Sequence, residues 1–169
     1  MNMNRNYQSY GRDQINIENL HLSKTGQELL NTGLQLLSQK NYKQAIEVLT
    51  DAIKTDPSLS GVQYYLAIAL LEGKKPRKVD GWTIEKIEKY LSLAINRDTN
   101  PAKCYALWAI VKYGHYTMNS FIEYPPTSGE LFRRSESIQA KDAREIFDHF
   151  SDPSNPYWLK LHNKFGKSY

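Results

Sequence analysis

The sequence predicts an all-α protein whose short helices follow one another in antiparallel pairs. Apolar residues recur at helical spacing from Leu29 to Leu37 and again from Tyr42 to Ile53. Only a few polar residues separate these two stretches, so the two helices are expected to pack side by side. Similar patterns return further along the chain, and this return predicts a helical-repeat array.

Capping residues mark the ends of the first helix pair. Thr25 and Glu28 form a T-x-x-E capping box, which is typical of a helix start. The first helix is expected to stop between residues 39 and 41. The second is expected to end at Asp56-Pro57, because proline disfavours a helical conformation in the residue before it.

Small residues repeat at intervals that fit a repeat with one insertion. Gly33 lies 34 residues before Ala67, and Ala67 lies 42 residues before Ala109. An insertion of eight residues explains the longer interval if it falls between Leu70 and Ile87, where the chain reads EGKKPRKVDGWT. Glycine, proline and charge in that stretch indicate a loop.

The third helix pair is expected to be irregular. Asn100-Pro101 supplies a cap and a first-turn proline for its first helix. An amphipathic helix containing Ala143, Ile146 and Phe147 is the candidate for its second helix. The intervening segment, with Pro125-Pro126, a Ser128 cap and Leu131-Phe132, is interpreted as an irregular insertion that holds a short helix.

The end of the chain predicts one further helix. Asn155-Pro156 repeats the cap-and-proline pattern ahead of Trp158, Leu161 and Phe165. A solenoid needs such a terminal helix to cover its last apolar face.

These residues make the chain resemble the tetratricopeptide repeat family, whose unit is a 34-residue helix–turn–helix. The positions that carry the resemblance are Leu29, Gly33, Tyr42, Ala45, Leu49, Ala52 and Pro57, then Leu66, Ala67, Ile87, Leu91 and Ala94, and finally Tyr105, Trp108 and Ala109. The resemblance implies one domain over residues 23–169, with units at about 25–57, 58–99 and 100–153 and a cap at 155–166.

The resemblance also implies a function, since the first helix of each tetratricopeptide unit lines a concave groove that holds a partner. The groove residues expected here are Leu30, Leu34, Leu37, Tyr64, Ile68, Leu71, Lys103, Ile110 and Tyr113. Members that bind carboxylates carry asparagine where Leu34 and Ile68 stand. An apolar wall instead favours an amphipathic helix or an extended apolar segment.

Two alternatives leave this groove unavailable to another protein. The C-terminal helix, or the stripe formed by Ile15, Ile17, Leu20 and Leu22, could cover it. An uncovered apolar patch would also support a homo-oligomer.

The N-terminal residues 1–22 are polar and are interpreted as a flexible segment. Residues 11–17 read GRDQINI, which is similar to short tags near the ends of bacterial NLR-like conflict-system proteins. The alternation in Gln14-Ile15-Asn16-Ile17 has strand spacing. An ordinary leader to the first helix is the preferred interpretation.

A cluster of basic residues suggests an alternative function. Lys74, Lys75, Arg77 and Lys78 surround Pro76, and together with Arg133-Arg134 they could bind nucleic acid through its phosphates. A solvated loop is the preferred meaning of so short a charge run.

No catalytic constellation is recognisable, so the protein is expected to be non-enzymatic and without a cofactor or metal. Asp148, His149, Asp152 and His162 form a loose cluster without the tight spacing of a metal site. Cys104 lies in the first turn of a helix, where its pKa could be lowered, but a buried packing role is preferred.

Composition adds a compartment and a general role. The single cysteine fits a reducing cytoplasm, and neither a signal-like leader nor a membrane-length apolar run is recognised. The net charge of +4 permits an acidic partner without requiring one. The expected role is that of a cytoplasmic adaptor or scaffold, for instance in bacterial signalling.

Overall fold

The structure, a computed structural model, describes residues 24–166. Within that range it contains eight α-helices, two single-turn 3-10 helices and no strand, so the predicted all-α class is confirmed. The helices are α1 Gly26–Ser38, α2 Tyr42–Thr55, α3 Val62–Leu71, α4 Gly81–Arg97, α5 Ala102–His115, α6 Ser128–Arg134, α7 Ala140–His149 and α8 Pro156–Phe165. The 3-10 helices are Pro76–Lys78 and Thr117–Asn119.

The first helix pair has the boundaries that its capping residues predict. The main-chain N–H of Glu28 donates to Thr25 Oγ1 at 3.2 Å, and the N–H of Thr25 donates to Glu28 Oε2 at 2.8 Å. This reciprocal pair satisfies donors that the first helical turn would leave unpaired. Helix α2 ends before Asp56-Pro57, as predicted.

The crossing of α1 and α2 requires a glycine. A Cβ atom built at Gly33 would lie 2.5 Å from Leu49 Cδ2, which is fully buried on α2. Carbon atoms pack favourably only at about 3.5–4.0 Å, so any larger residue at position 33 would force the Leu49 side chain or the helix backbones to move. Gly33 is therefore the small residue at a helix crossing that the sequence predicts.

The connection between α3 and α4 is a loop, as its glycine, proline and charge predict. It turns through Glu72 and Gly73, both with positive φ, and forms the 3-10 helix at Pro76–Lys78. The loop is shorter than expected, because Asp80 caps α4 by accepting a hydrogen bond from the N–H of Thr83 at 2.9 Å. Residues 81–83, which the sequence predicts as part of the loop, thus form the first turn of α4.

Helices α3 and α5 occupy the centre of the protein. Helix α3 packs against α2 and α4, and α5 packs against α4 and α6 and also contacts α7 and α8. The side chains that both helices bury completely, or almost so, are Val62, Tyr64, Leu66, Ala67, Ile68, Ala69, Leu71, Cys104, Ala106, Leu107, Ala109, Ile110 and Val111. Helix α5 starts at Ala102, one residue later than Asn100-Pro101 predicts. Pro101 is the N-cap rather than a first-turn residue, while the N–H of Ala102 donates to Asn100 Oδ1 at 3.4 Å.

The short helix expected near residue 128 is present, but its cap is Thr127 rather than Ser128. The N–H of Glu130 donates to Thr127 Oγ1 at 3.3 Å, and the N–H of Thr127 donates to Glu130 Oε2 at 2.7 Å. This is a second T-x-x-E box, like that of α1. Ser128 is instead buried and donates from its main-chain N–H to Glu123 Oε1 at 2.9 Å.

The C-terminal helix begins where Asn155-Pro156 predicts. Asn155 Oδ1 accepts from the N–H of Tyr157 at 3.1 Å, while its Nδ2 donates to the carbonyl of Ile110 on α5 at 2.9 Å. One fully buried side chain therefore both starts α8 and attaches it to the central helix.

The predictions for residues 1–22, including residues 11–17 and the Ile15, Ile17, Leu20 and Leu22 stripe, lie outside the described residues. Among the helices of residues 24–166, none is both long and apolar enough to cross a membrane.

Candidate functional site

Most of the residues expected to line an open groove lie inside the protein. Six of the predicted groove residues are almost fully buried. Their side chains are exposed by at most 6% on α1 and at most 1% on α3 and α5, and they are Leu30, Leu37, Tyr64, Ile68, Leu71 and Ile110. These six positions offer no surface to a partner, which corrects the expectation of an open groove along α1, α3 and α5.

Helix α7 covers part of this face. It packs against α5 and faces the C-terminal half of α1 across a cleft. Glu145 and Asp142 of α7 are close enough to Tyr64 to raise the pKa of its phenol, although burial is the larger cause. The sequence predicts this helix as the second helix of a third unit. In the structure α6 packs on α5, and α7 packs on α8 and α5 and buries Ala143 and Ile146.

Two other predicted groove residues are engaged within the chain. Lys103 Nζ lies 3.9 Å from Asp98 Oδ2 and 4.6 Å from the ring centre of Tyr64. Tyr113 meets the ring of Tyr157 on α8 edge to face, with the ring centres 5.4 Å apart. Both side chains therefore help to hold the helices together.

What remains accessible of the expected groove is a cleft between α1 and α7, called here the α1–α7 cleft. Its volume is about 550 Å³. The residues that line it are Leu34, Leu37, Ser38, Lys40, Tyr65, Glu145, Asp148 and His149. Leu34, also predicted for the groove, is half-buried there, and so is Tyr65.

The two sides of the α1–α7 cleft differ in chemistry. The α1 side presents leucine side chains together with Ser38 and, just after the helix, the cation of Lys40. Helix α7 presents the carboxylates of Glu145 and Asp148 and the imidazole of His149. Burial raises the pKa of Glu145. The pKa of Tyr65 is raised first by its own burial and then by the nearby Glu145 carboxylate. The cleft therefore combines a mainly apolar wall, which also carries the cation of Lys40, with a polar, net acidic wall.

His149 lies at the end of α7 with its ring partly withdrawn from water. Burial lowers its pKa below 6.5, an effect that Asp148 opposes and Lys40 reinforces. Its Nδ1 atom is buried and has no hydrogen-bond partner among the described residues. A neutral imidazole is thus favoured beside the cleft at neutral pH.

Two of the basic residues that the sequence groups into one patch face carboxylates in the structure. Lys74 Nζ lies 3.3 Å from Glu72 Oε2, and Lys75 Nζ lies 3.8 Å from Oδ1 of the buried Asp152. Arg77 and Lys78 are exposed on the 3-10 helix. Arg133 and Arg134 border depressions formed with residues of α6 and α8, none of which belongs to residues 74–78.

The remaining candidates for chemistry lie apart from one another. Cys104 is fully buried, and burial raises the pKa of its thiol to about 12, so the packing role is the one observed. His162 stacks on Trp158 with ring centres 4.7 Å apart, while Asp152 lies beside Lys75. Among residues 24–166 no group of three or more His, Cys, Asp or Glu side chains has the proximity needed to hold a metal ion.

Sequence reasoning did not identify the acidic wall of the cleft. Glu145 and Asp148 are three residues apart, so they lie on one face of α7, and this much was visible in the sequence. The sequence does not predict that this face lies opposite α1, because that position depends on how α7 packs against helices distant in sequence. The sequence analysis predicts Tyr64 rather than Tyr65 as a groove residue, but Tyr64 is fully buried.

Comparison of this chain with protein-family models, with curated proteins and with solved structures finds no significant match in any of the three. The resemblance to tetratricopeptide repeats accordingly stays a prediction from the sequence.

Proposed function

We propose that this protein is a non-enzymatic interaction module that holds a peptide segment of a partner protein in the α1–α7 cleft. The observation that carries the proposal is the cleft itself, with its volume of about 550 Å³ and its two unlike walls. Clefts that bind ligands commonly measure about 300–1,000 Å³ and are mainly apolar, with a few polar groups that set orientation.

The chemistry of the two walls indicates the kind of segment that would fit. The half-buried Leu34 offers an apolar surface for an aliphatic or aromatic anchor, with the buried Leu37 beside it. Glu145 and Asp148 face that surface and favour a lysine or arginine on the opposite side of the segment. The proposed ligand is therefore a short amphipathic segment that carries both an apolar and a basic side chain.

The proposed architecture is a short tetratricopeptide-like array. It is supported by the packing of α1 with α2 and of α3 with α4, and by the close approach of Gly33 to Leu49. Its third part departs from the family pattern, because α7 lies across the cleft from α1. The proposed setting is the cytoplasm, where the free thiol of Cys104 would stay reduced.

The proposal is tested by selecting ligands from random peptides displayed on phage. The wild-type protein is expected to enrich peptides that pair an apolar residue with lysine or arginine. Leu34→Glu removes the apolar wall and is expected to weaken the selected peptides by about tenfold or more, the equivalent of losing one buried leucine contact. Asp148→Lys is expected to abolish the preference for basic residues.

The matched control for charge is Glu85→Lys, which reverses an exposed carboxylate on α4, away from the cleft. It should leave binding unchanged. Circular dichroism establishes that each variant keeps the helical content of the wild type. The proposal fails if no such peptides are enriched, or if Glu85→Lys weakens binding as much as Asp148→Lys does.

The alternative function, nucleic-acid association through Lys74, Lys75, Arg77 and Lys78, is not proposed. The ammonium groups of Lys74 and Lys75 already face carboxylates, so only Arg77 and Lys78 are left to neutralise phosphates. Phosphate neutralisation by several cations supplies most of the affinity of non-specific nucleic-acid binding.

A further inference from the structure

A second pocket lies between α6 and α8, and it shares no lining residue with the α1–α7 cleft. This α6–α8 pocket has a volume of about 270 Å³. The residues that line it are Phe132, Arg133, Ser135, Glu136, Ile138, Lys160, Leu161 and Lys164. Ile138 and Leu161 are almost fully buried, so they form an apolar floor beneath longer, exposed side chains.

The rim of the α6–α8 pocket is strongly basic. Arg133, Lys160 and Lys164 surround it, and Glu136 is the one carboxylate among the residues that line it. Within residues 24–166, none of the three cations is in an ion pair. All three side chains are exposed, although Lys164 Nζ lies 4.8 Å from the ring centre of Phe165, so their positive charge is accessible to a partner.

The aromatic rings beside the pocket pack against one another. Phe132 lies against Tyr157 with ring centres 4.6 Å apart and an angle of 30° between the ring planes. Lys160 Nζ lies 5.8 Å from both ring centres. Recognition of single-stranded nucleic acid relies on free aromatic faces that stack with bases, and these two rings offer little of that kind.

We infer that the α6–α8 pocket is a second binding site, which takes an acidic peptide segment anchored by one apolar side chain. The apolar floor accepts the anchor, and Arg133, Lys160 and Lys164 pair with carboxylates on either side of it. At about 270 Å³ the pocket is smaller than most drug-sized ligand sites, which suits a single side chain better than a whole metabolite.

This inference does not depend on the function proposed for the α1–α7 cleft, because the two sites share no lining residue and favour ligands of opposite charge. One site can fail its test while the other passes. If both are present, the protein joins a basic segment to an acidic one, as an adaptor would.

The test uses an array of short peptides in which a central leucine, isoleucine, phenylalanine or serine is flanked by increasing numbers of glutamates. The full-length protein is expected to bind more strongly as glutamates are added, but only where the centre is apolar. The triple variant Arg133→Gln, Lys160→Gln, Lys164→Gln is expected to lose about tenfold in affinity, from three exposed charge pairs of roughly 0.5 kcal/mol each. Glutamine keeps helix propensity close to that of lysine and arginine.

The matched control is the triple variant Lys43→Gln, Lys86→Gln, Lys89→Gln, which removes the same charge from α2 and α4. Binding by this control should equal that of the wild type. The inference is overturned if serine-centred peptides bind as well as apolar ones, or if both triple variants lose affinity equally. It is also overturned if labelled oligothymidine binds more tightly than the best peptide and is lost in the first triple variant alone, since the site would then serve nucleic acid.

Discussion

Tyr42 on α2 donates a hydrogen bond from its phenol to the main-chain carbonyl of His149, 3.3 Å away at the end of α7. The two rings also meet edge to face, with centres 6.1 Å apart. This contact joins the first helix pair to a helix more than a hundred residues later, and it lies at one end of the α1–α7 cleft.

Tyr42→Phe is expected to loosen the attachment of α7. It removes the hydroxyl but keeps the ring, so the expected loss is about 0.5–1.5 kcal/mol in the free energy of unfolding. Hydrogen exchange should show faster exchange in α7 than in α1. Tyr90→Phe is the control, because no hydrogen bond of the Tyr90 hydroxyl is found in residues 24–166. Unchanged exchange in α7 of Tyr42→Phe would show that the contact does not hold the helix.

Ile68→Glu is expected to unfold the protein rather than to block a surface. Ile68 is 1% exposed, so the variant would place a carboxylate among apolar side chains without a partner. The cost of several kcal/mol is a large part of the total stability of a typical domain, about 5–15 kcal/mol.

The control for that variant is Ile122→Glu, since Ile122 is 73% exposed and its substitution should change stability by less than about 0.5 kcal/mol. Thermal unfolding followed by circular dichroism distinguishes the two. A cooperative transition of Ile68→Glu near that of the wild type would contradict the burial of this face.

Gly33→Ala is expected to destabilise the protein although alanine favours helices more than glycine does. The gain in helix propensity is about 1 kcal/mol, whereas overpacking against Leu49 costs about 1–3 kcal/mol. In a Leu49→Ala background the space is free, so the same substitution should become neutral or stabilising. Urea unfolding of the four proteins in this cycle measures the coupling, and an equal effect of Gly33→Ala in both backgrounds would argue against a tight crossing.

The pH dependence of stability is expected to include a contribution from His149. Burial holds its pKa below 6.5 in the folded protein, so the unfolded chain binds more protons as the pH falls through that value. Stability contributed by the neutral imidazole is therefore complete above pH 6.5 and is lost as the pH drops toward the folded pKa.

His149→Gln is expected to reduce the loss of stability between neutral pH and pH 5, measured by urea unfolding at a series of pH values. Groups that titrate elsewhere affect both proteins alike and cancel in the comparison. Parallel pH profiles of the wild type and the variant would show that the environment of His149 does not couple to folding.

Features that depend on neighbours along the chain were predictable. Thr25, Asn100 and Asn155 mark helix starts because a capping side chain acts on main-chain groups two or three residues away. The same reasoning applied to Thr127 and Glu130 would have found the cap of α6, since the T-x-x-E spacing is also present there. Gly33 was recognised from its interval to Ala67, which is again a property of the sequence.

The candidate site was predictable only in part. Helical periodicity predicts Leu34 and Leu37 on one face of α1, and both line the cleft, but the open groove expected there is wrong for Leu37, which is buried. Whether that face stays open depends on α7, and amphipathicity shows only that α7 must bury Ala143 and Ile146 somewhere. Glu145 and Asp148 line a cleft only because the packing of α7 places them opposite α1.

The sequence by itself therefore determined the helical class, the boundaries of α1 and α2 and the start of α8, because these follow from hydrogen bonding and periodicity within a few residues. The tertiary structure alone decided that α7 lies across the cleft from α1 and that α6 and α8 enclose a basic pocket. Those arrangements depend on which apolar faces meet over long separations in sequence, and many pairings satisfy the same periodicity. Contacts such as that of Tyr42 with His149 select one pairing from among them.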